Sequence, residues 1–150
     1  MKDKKLEETT IYYIRVSSKR PDFRLVITFL LGDMHNVDTE GDSNNPASDD
    51  WTMLYCKNRE KPEEVFEIFP IQNDPLIFEV QSPLSYIAAR VTYFLASQMN
   101  SQYAEKIDGI YTPPDSLIPM LGNFALEDAK LRVVNSRWQH ATLQNPYPMR

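Results

Sequence analysis

The chain has 150 residues and a formal net charge of −5 at pH 7. An acidic balance opposes binding to phosphate backbones, so a nucleic acid is not expected as a partner and a basic protein is favoured. The single cysteine, Cys56, excludes an intramolecular disulfide, and the lack of a signal segment or of a long apolar run predicts a cytoplasmic protein without a membrane partner.

Five extended segments are predicted in the first half of a single domain, 1–150, after a charged and aperiodic end, 1–9, that we expect to be frayed. Alternating apolar and aromatic residues, separated by turn-forming residues, indicate strands. The segments are 10–16 (TIYYIRV), 23–31 (FRLVITFLL), 51–58 (WTMLYCKN), 64–71 (EVFEIFPI) and 76–81 (LIFEVQ). Because the connections are too short for parallel crossovers, the sheet is predicted to be antiparallel.

A change of period at Ser82 predicts a long helix. Ser82 and Pro83 supply an N-cap and a proline at the first helical position, and Gly109 is predicted as the end. Apolar residues then recur at three- and four-residue spacing. They are Leu84, Ile87, Ala88, Val91, Phe94, Leu95 and Met99.

A second helix is predicted after Asn123, with a strand at 130–134 as the alternative, and residues 140–150 are predicted as a tail. The predicted fold class is therefore α+β. It consists of an antiparallel sheet of about five strands, one long helix packed on that sheet, and a second C-terminal helix.

The stretch from Gly32 to Asp50 holds six carboxylates and neither lysine nor arginine, and we predict it to be an acidic loop, 32–50. It also resembles a calcium loop, which takes oxygen ligands at its first, third, fifth, seventh and twelfth positions. The side chains at those positions are Asp38, Glu40, Asp42, Asn44 and Asp49. Ser43 replaces the required glycine, and the twelfth residue is aspartate rather than glutamate. We therefore predict no metal and no other cofactor, with this loop as a weak calcium candidate.

No catalytic constellation is visible in the sequence. Cys56 has no histidine close to it along the chain, and four glycines form no phosphate-binding loop. Glu67 and Glu79 would lie on neighbouring strands, but a symmetric hairpin would place Glu67 opposite Val80 and turn the two carboxylates to opposite faces. The sequence therefore predicts no catalytic residue and favours a protein that is not an enzyme.

The remaining features favour protein binding. Trp138 and Tyr147 lie beyond the clear apolar period, and aromatic residues are enriched at protein interfaces. We hypothesise a small acidic module that binds a basic protein, in the manner of an immunity or antitoxin-type inhibitor. The alternatives are a small enzyme with a pocket between sheet and helix, and a structural component that assembles through a strand edge. The candidate partner-binding residues are Asp33, Asp38, Glu40, Asp42, Asp49, Asp50, Trp138 and Tyr147.

Overall fold

The computed structural model describes residues 9–16, 19–71 and 74–148, with the backbone alone at residues 74 and 75. The predicted frayed residues 1–8 and the last two residues of the predicted tail lie outside these ranges. Within these ranges, six antiparallel strands form one sheet in the order β2-β3-β4-β5-β1-β6, which confirms the α+β class with one strand more than expected. The strands are β1 (Thr10–Arg15), β2 (Val37–Gly41), β3 (Leu54–Asn58), β4 (Val65–Ile71), β5 (Asp74–Ser82) and β6 (Tyr103–Ala104). The helices are α1 (Arg24–Leu31), α2 (Ser85–Gln98) and α3 (Leu126–Val134), with 3₁₀ helices at Pro114–Met120 and Arg137–His140.

The prediction of a strand at 23–31 was wrong, because this segment forms α1. A short run that is apolar on both faces fits a fully buried strand and a fully buried helix equally well. In the structure, seven of the eight residues of α1 are buried. The carboxylate of Asp22 accepts the backbone N–H of Arg24 at 2.9 Å, which satisfies a donor at the start of the helix. An aspartate just before an apolar run, as at Asp22, is a helix-start signal.

The helix α2 begins later and ends earlier than the sequence predicted. The hydroxyl of Ser82 accepts the N–H of Leu84 at 3.1 Å, and the first helical residue is Ser85. At the other end Asn100 has φ 52°, and the N–H of Ser101 reaches the carbonyl of Ala96 at 2.8 Å. This closing geometry ends the helix eleven residues before the predicted stop at Gly109.

The helices cover one face of the sheet. The helix α2 packs against β1, β4 and β5 and places Ile87, Val91 and Leu95 in the core, as predicted. The predicted C-terminal helix is confirmed as α3, which excludes the alternative strand. In the described part of the chain, no helix has the length and apolar character needed to cross a bilayer.

The acidic stretch 32–50 is not one continuous loop, because its residues 37–41 form the edge strand β2. The strand pairs with β3 and places Asp38 opposite Lys57 and Glu40 opposite Tyr55. The strand β2 forms because its backbone pairs with β3, although it contains aspartate and glycine, which have low strand propensity. Charged side chains are also typical of edge strands, where they discourage pairing with another chain.

Candidate functional site

The face of the sheet opposite the helices, which we call the open face, is the main candidate site. Alternate side chains in the middle of β1, β3, β4 and β5 belong to the helix-covered core, and the side chains between them do not. The core side chains are Tyr12, Ile14, Leu54, Cys56, Phe66, Ile68, Phe78 and Val80. Among the described residues, no helix packs on this second face. Its members are Ile11, Tyr13, Arg15, Asp38, Glu40, Tyr55, Lys57, Val65, Glu67, Phe69, Ile77, Glu79 and Gln81.

Carboxylates and aromatic rings alternate across the open face in two neighbouring rows. The pairing registers place one row at Glu40, Tyr55, Glu67, Gln81 and Ile11, and the next row at Phe69, Glu79 and Tyr13. Neighbours within a row are separated by one strand spacing, about 4.8 Å. A glutamate therefore flanks Tyr55 on each side, and an aromatic ring flanks Glu79 on each side.

The prediction that Glu67 and Glu79 face opposite ways was wrong. Glu67 lies opposite Gln81 rather than Val80, which turns both glutamates to the open face. The cause is a register irregularity after Pro70, since a shift of one residue exchanges the two faces of a strand. The two carboxylates are diagonal neighbours across β4 and β5, a relation with side chains about 7 to 8 Å apart.

The glutamates of the open face are poorly compensated by positive charge. Asp38 lies across from Lys57 and within 3.7 Å of the Arg59 guanidinium. By contrast, none of the ion pairs among the described residues involves Glu40, Glu67 or Glu79. Burial raises the pKa of Glu79 above its ordinary value, because a partly buried carboxylate without a cation is poorly solvated.

Two shallow depressions flank Tyr55 and Glu67 on the open face. The first, of about 190 Å³, is bounded on this face by Glu40, Met53 and Phe69 as well as by that pair. The second, of about 120 Å³, lies on the other side of the same pair and also touches Gln81. Each has the size of a side-chain subsite and is smaller than a typical small-molecule pocket of about 300 to 1,000 Å³.

Two of the predicted site residues, Asp33 and Asp42, hold the fold together. Asp33 accepts hydrogen bonds from the hydroxyls of Thr28 and Ser136 at 2.6 and 2.7 Å and from the N–H of Arg137 at 3.0 Å. Asp42 accepts the N–H of Thr52 at 3.0 Å. It also accepts the Thr52 hydroxyl and the N–H of Met53. Burial alone would raise the pKa of Asp42, but these hydrogen bonds lower it below its ordinary value.

The other acidic candidates separate into two places. Asp38 and Glu40 lie on the open face, whereas Asn44, Asp49 and Asp50 are exposed in the connection between β2 and β3. Asp49 also forms an exposed ion pair with Lys19 at 3.6 Å. Within the described ranges, no three Asp, Glu, His or Cys side chains are grouped as a metal site requires. The five side chains of the weak calcium candidate therefore lie in different places and do not surround one point.

Trp138 and Tyr147 lie on the helix side of the sheet, away from the open face. The Arg24 guanidinium stacks 3.8 Å from the centre of the Trp138 ring, and Asp22 binds the same guanidinium at 2.6 Å. Tyr147 packs edge-on against Trp138. Together with Asp33, these aromatic residues line a hollow of about 260 Å³. Its charged side chains are already held by other groups, Arg24 by Asp22 and Asp33 by two hydroxyls and a backbone N–H.

Cys56 is unsuited to nucleophilic catalysis. It is buried in the core, and burial, with a smaller effect from Asp38, raises the pKa of its thiol to about 12. The reactive thiolate is therefore scarce at neutral pH. His35, the nearer of the two histidines in sequence, bonds to the side chain of Asn58 at 2.8 Å.

Sequence reasoning missed most of the open face. Tyr13, Tyr55 and Phe69 were not among the predicted site residues, and Glu67 and Glu79 were separated by an incorrect register. The alternation of side chains along each predicted strand could have identified this face, because an antiparallel sheet covered on one side has one apolar face and one mixed face. Comparisons with protein-family models, curated proteins and solved structures gave no match.

Proposed function

We propose that this chain is a small acidic protein-binding module that binds a basic protein through the open face, in the manner of an immunity or antitoxin-type inhibitor. The observation that supports the proposal is the row Glu40, Tyr55 and Glu67. In this row two carboxylates, neither of them in an ion pair among the described residues, flank an aromatic ring on the face where no described helix packs. Aromatic rings supply the buried contact area of protein interfaces, and complementary charge supplies specificity and speed of encounter. We place this action in the cytoplasm, where a free buried thiol such as Cys56 stays reduced.

The two kinds of residue have different kinetic roles in this proposal. Asp38 and Glu40 lie on the edge strand, so they remain hydrated at the rim and act on association through a field that salt screens over about 8 Å. Tyr55, Phe69 and Glu79 lie further inside the sheet and become desolvated in the complex. Their contacts set the dissociation rate, as central interface residues do.

The test begins with affinity capture from native lysate, followed by binding kinetics of the captured protein across a salt series. The Glu40→Gln variant is expected to slow association at low salt and to flatten its salt dependence. Tyr55→Ala is expected to accelerate dissociation at least tenfold, the effect of losing a central contact of about 1.4 kcal/mol or more.

A charge-matched control separates the open face from general acidity. Asp49→Asn with Asp50→Asn changes the net charge by the same amount as Glu40→Gln with Glu67→Gln, but alters exposed residues off the open face. The control pair is expected to bind much more like the wild type. An acidic captured partner, or equal effects of the two double variants, would contradict the proposal.

A further inference from the structure

Given the proposed function, on which this inference rests, we propose that the depression between β2, β3 and β4 receives an arginine side chain of the basic partner and discriminates against lysine. We call this site the Tyr55 depression. Its walls on the open face are Glu40, Met53, Tyr55, Glu67 and Phe69, and its volume is about 190 Å³. No lysine or arginine is among the residues that line it.

The charge distribution fits a wide organic cation. Glu40 and Glu67 lie on strands two positions apart, with Tyr55 between them, so their backbones are separated by about 10 Å. No three Asp, Glu, His or Cys side chains of the described residues are grouped as a metal site requires. A guanidinium group spreads five N–H donors over a plane and can reach a carboxylate while its face covers a ring.

Asp42 also lines the Tyr55 depression but contributes differently. Its carboxylate is already used by the N–H groups of Thr52 and Met53, and those bonds keep it ionised. Asp42 therefore adds negative potential to the depression, but its carboxylate is already used as an acceptor within the protein. The remaining acceptors for a partner's side chain are Glu40 and Glu67, on either side of the Tyr55 ring.

The protein packs two of its own arginines, Arg24 and Arg90, against aromatic rings. Arg24 combines a carboxylate from Asp22 with stacking on Trp138 at 3.8 Å. Arg90 lies 4.5 and 4.4 Å from the ring centres of Tyr86 and Phe124. A lysine cannot stack a flat delocalised cation on a ring, and its compact ammonium holds its water more strongly. A carboxylate beside an aromatic ring therefore favours arginine.

The experiment compares two synthetic peptides of equal length and charge, one alternating arginine with threonine and the other alternating lysine with threonine. Titration of the isotope-labelled protein is followed by NMR at low and physiological salt. The arginine peptide is expected to bind about two to five times more tightly, the effect of one exposed cation–π contact. The largest shifts are expected at Tyr55, Glu67 and Phe69.

Variants assign the preference to the depression. Tyr55→Leu is expected to remove the preference for arginine and to retain the weak binding of both peptides, while Glu67→Gln weakens both. Phe69→Leu provides a second test of the ring contribution, whether or not the Tyr55 variant folds. Tyr147→Leu, which removes an exposed ring off the open face, is expected to leave the preference unchanged.

The outcomes distinguish this inference from the proposed function. Equal affinity of the two peptides at the open face would overturn arginine selectivity and leave the protein-binding proposal standing. A preference that survives in both Tyr55→Leu and Phe69→Leu would also overturn the inference. The lack of any shift on the open face with either peptide would overturn the inference and the proposed function together.

Discussion

Replacing Asp33 with alanine is expected to destabilise the protein strongly, since its carboxylate joins α1 to the C-terminal segment. The Asp33 side chain accepts hydrogen bonds from Thr28, Ser136 and Arg137, at 2.6, 2.7 and 3.0 Å. A hydrogen bond to a charged group contributes about 1.5 to 3 kcal/mol, and such contributions are not additive when water can replace some partners. We therefore expect Asp33→Ala to lower the free energy of unfolding by about 2 to 4 kcal/mol.

Asp33→Asn provides a graded comparison. Thr28 and Ser136 both donate to Oδ1, which an amide oxygen can replace, whereas Arg137 donates to Oδ2, where the amide would present a second donor. The asparagine variant should lose about 1 to 2 kcal/mol, the cost of one unmet hydrogen bond. Asp50→Ala, at an exposed position, should change stability by less than about 0.5 kcal/mol.

Urea and thermal unfolding, followed by circular dichroism, measure these differences. For a chain of this size, 1 kcal/mol corresponds to about 2 to 4 °C, so Asp33→Ala should lower Tm by about 4 to 16 °C. Hydrogen exchange should also quicken at the N–H of Arg137, which loses its acceptor. If Asp33→Ala were as stable as Asp50→Ala, the Asp33 carboxylate would not stabilise the fold. The prediction from the sequence that Asp33 binds a partner would then be favoured again.

Two further predictions concern the core and the open face. Val91→Asp buries an unpaired carboxylate in α2 and should remove most of a total stability of about 5 to 15 kcal/mol. The control Val134→Asp, on the exposed side of α3, should keep a Tm near that of the wild type. A native Tm for Val91→Asp would contradict the packing of α2 on the sheet. Glu79 has a raised pKa in the folded state, so the fold binds its proton more tightly and loses stability as pH rises from the ordinary value of 4.5 through the raised pKa. Glu79→Gln should therefore be more stable than the wild type at pH 7, and the difference in the free energy of unfolding should shrink toward pH 4. Urea titrations at several pH values measure this difference. If it did not depend on pH, burial of the Glu79 carboxylate would not be its cause.

The sequence alone was sufficient for elements whose signal is local. The alternation at β1, β3, β4 and β5 predicted strands, and the three- and four-residue period after Ser82 predicted α2 with its buried side. These patterns repeat several times within one element, so each repetition supports the same assignment. The excess of acidic residues likewise needed no coordinates to favour a basic partner.

Only the tertiary structure decided the identity of α1, the edge strand β2 and the composition of the open face. A short apolar segment with seven of eight residues buried fits a strand and a helix alike, so packing against α2 and α3 determines that it is helical. Register depends on backbone irregularities such as the one after Pro70, which no side-chain pattern reveals. That irregularity turns Glu67 and Glu79 to the same face, because a strand exchanges its two faces with each shift of one residue.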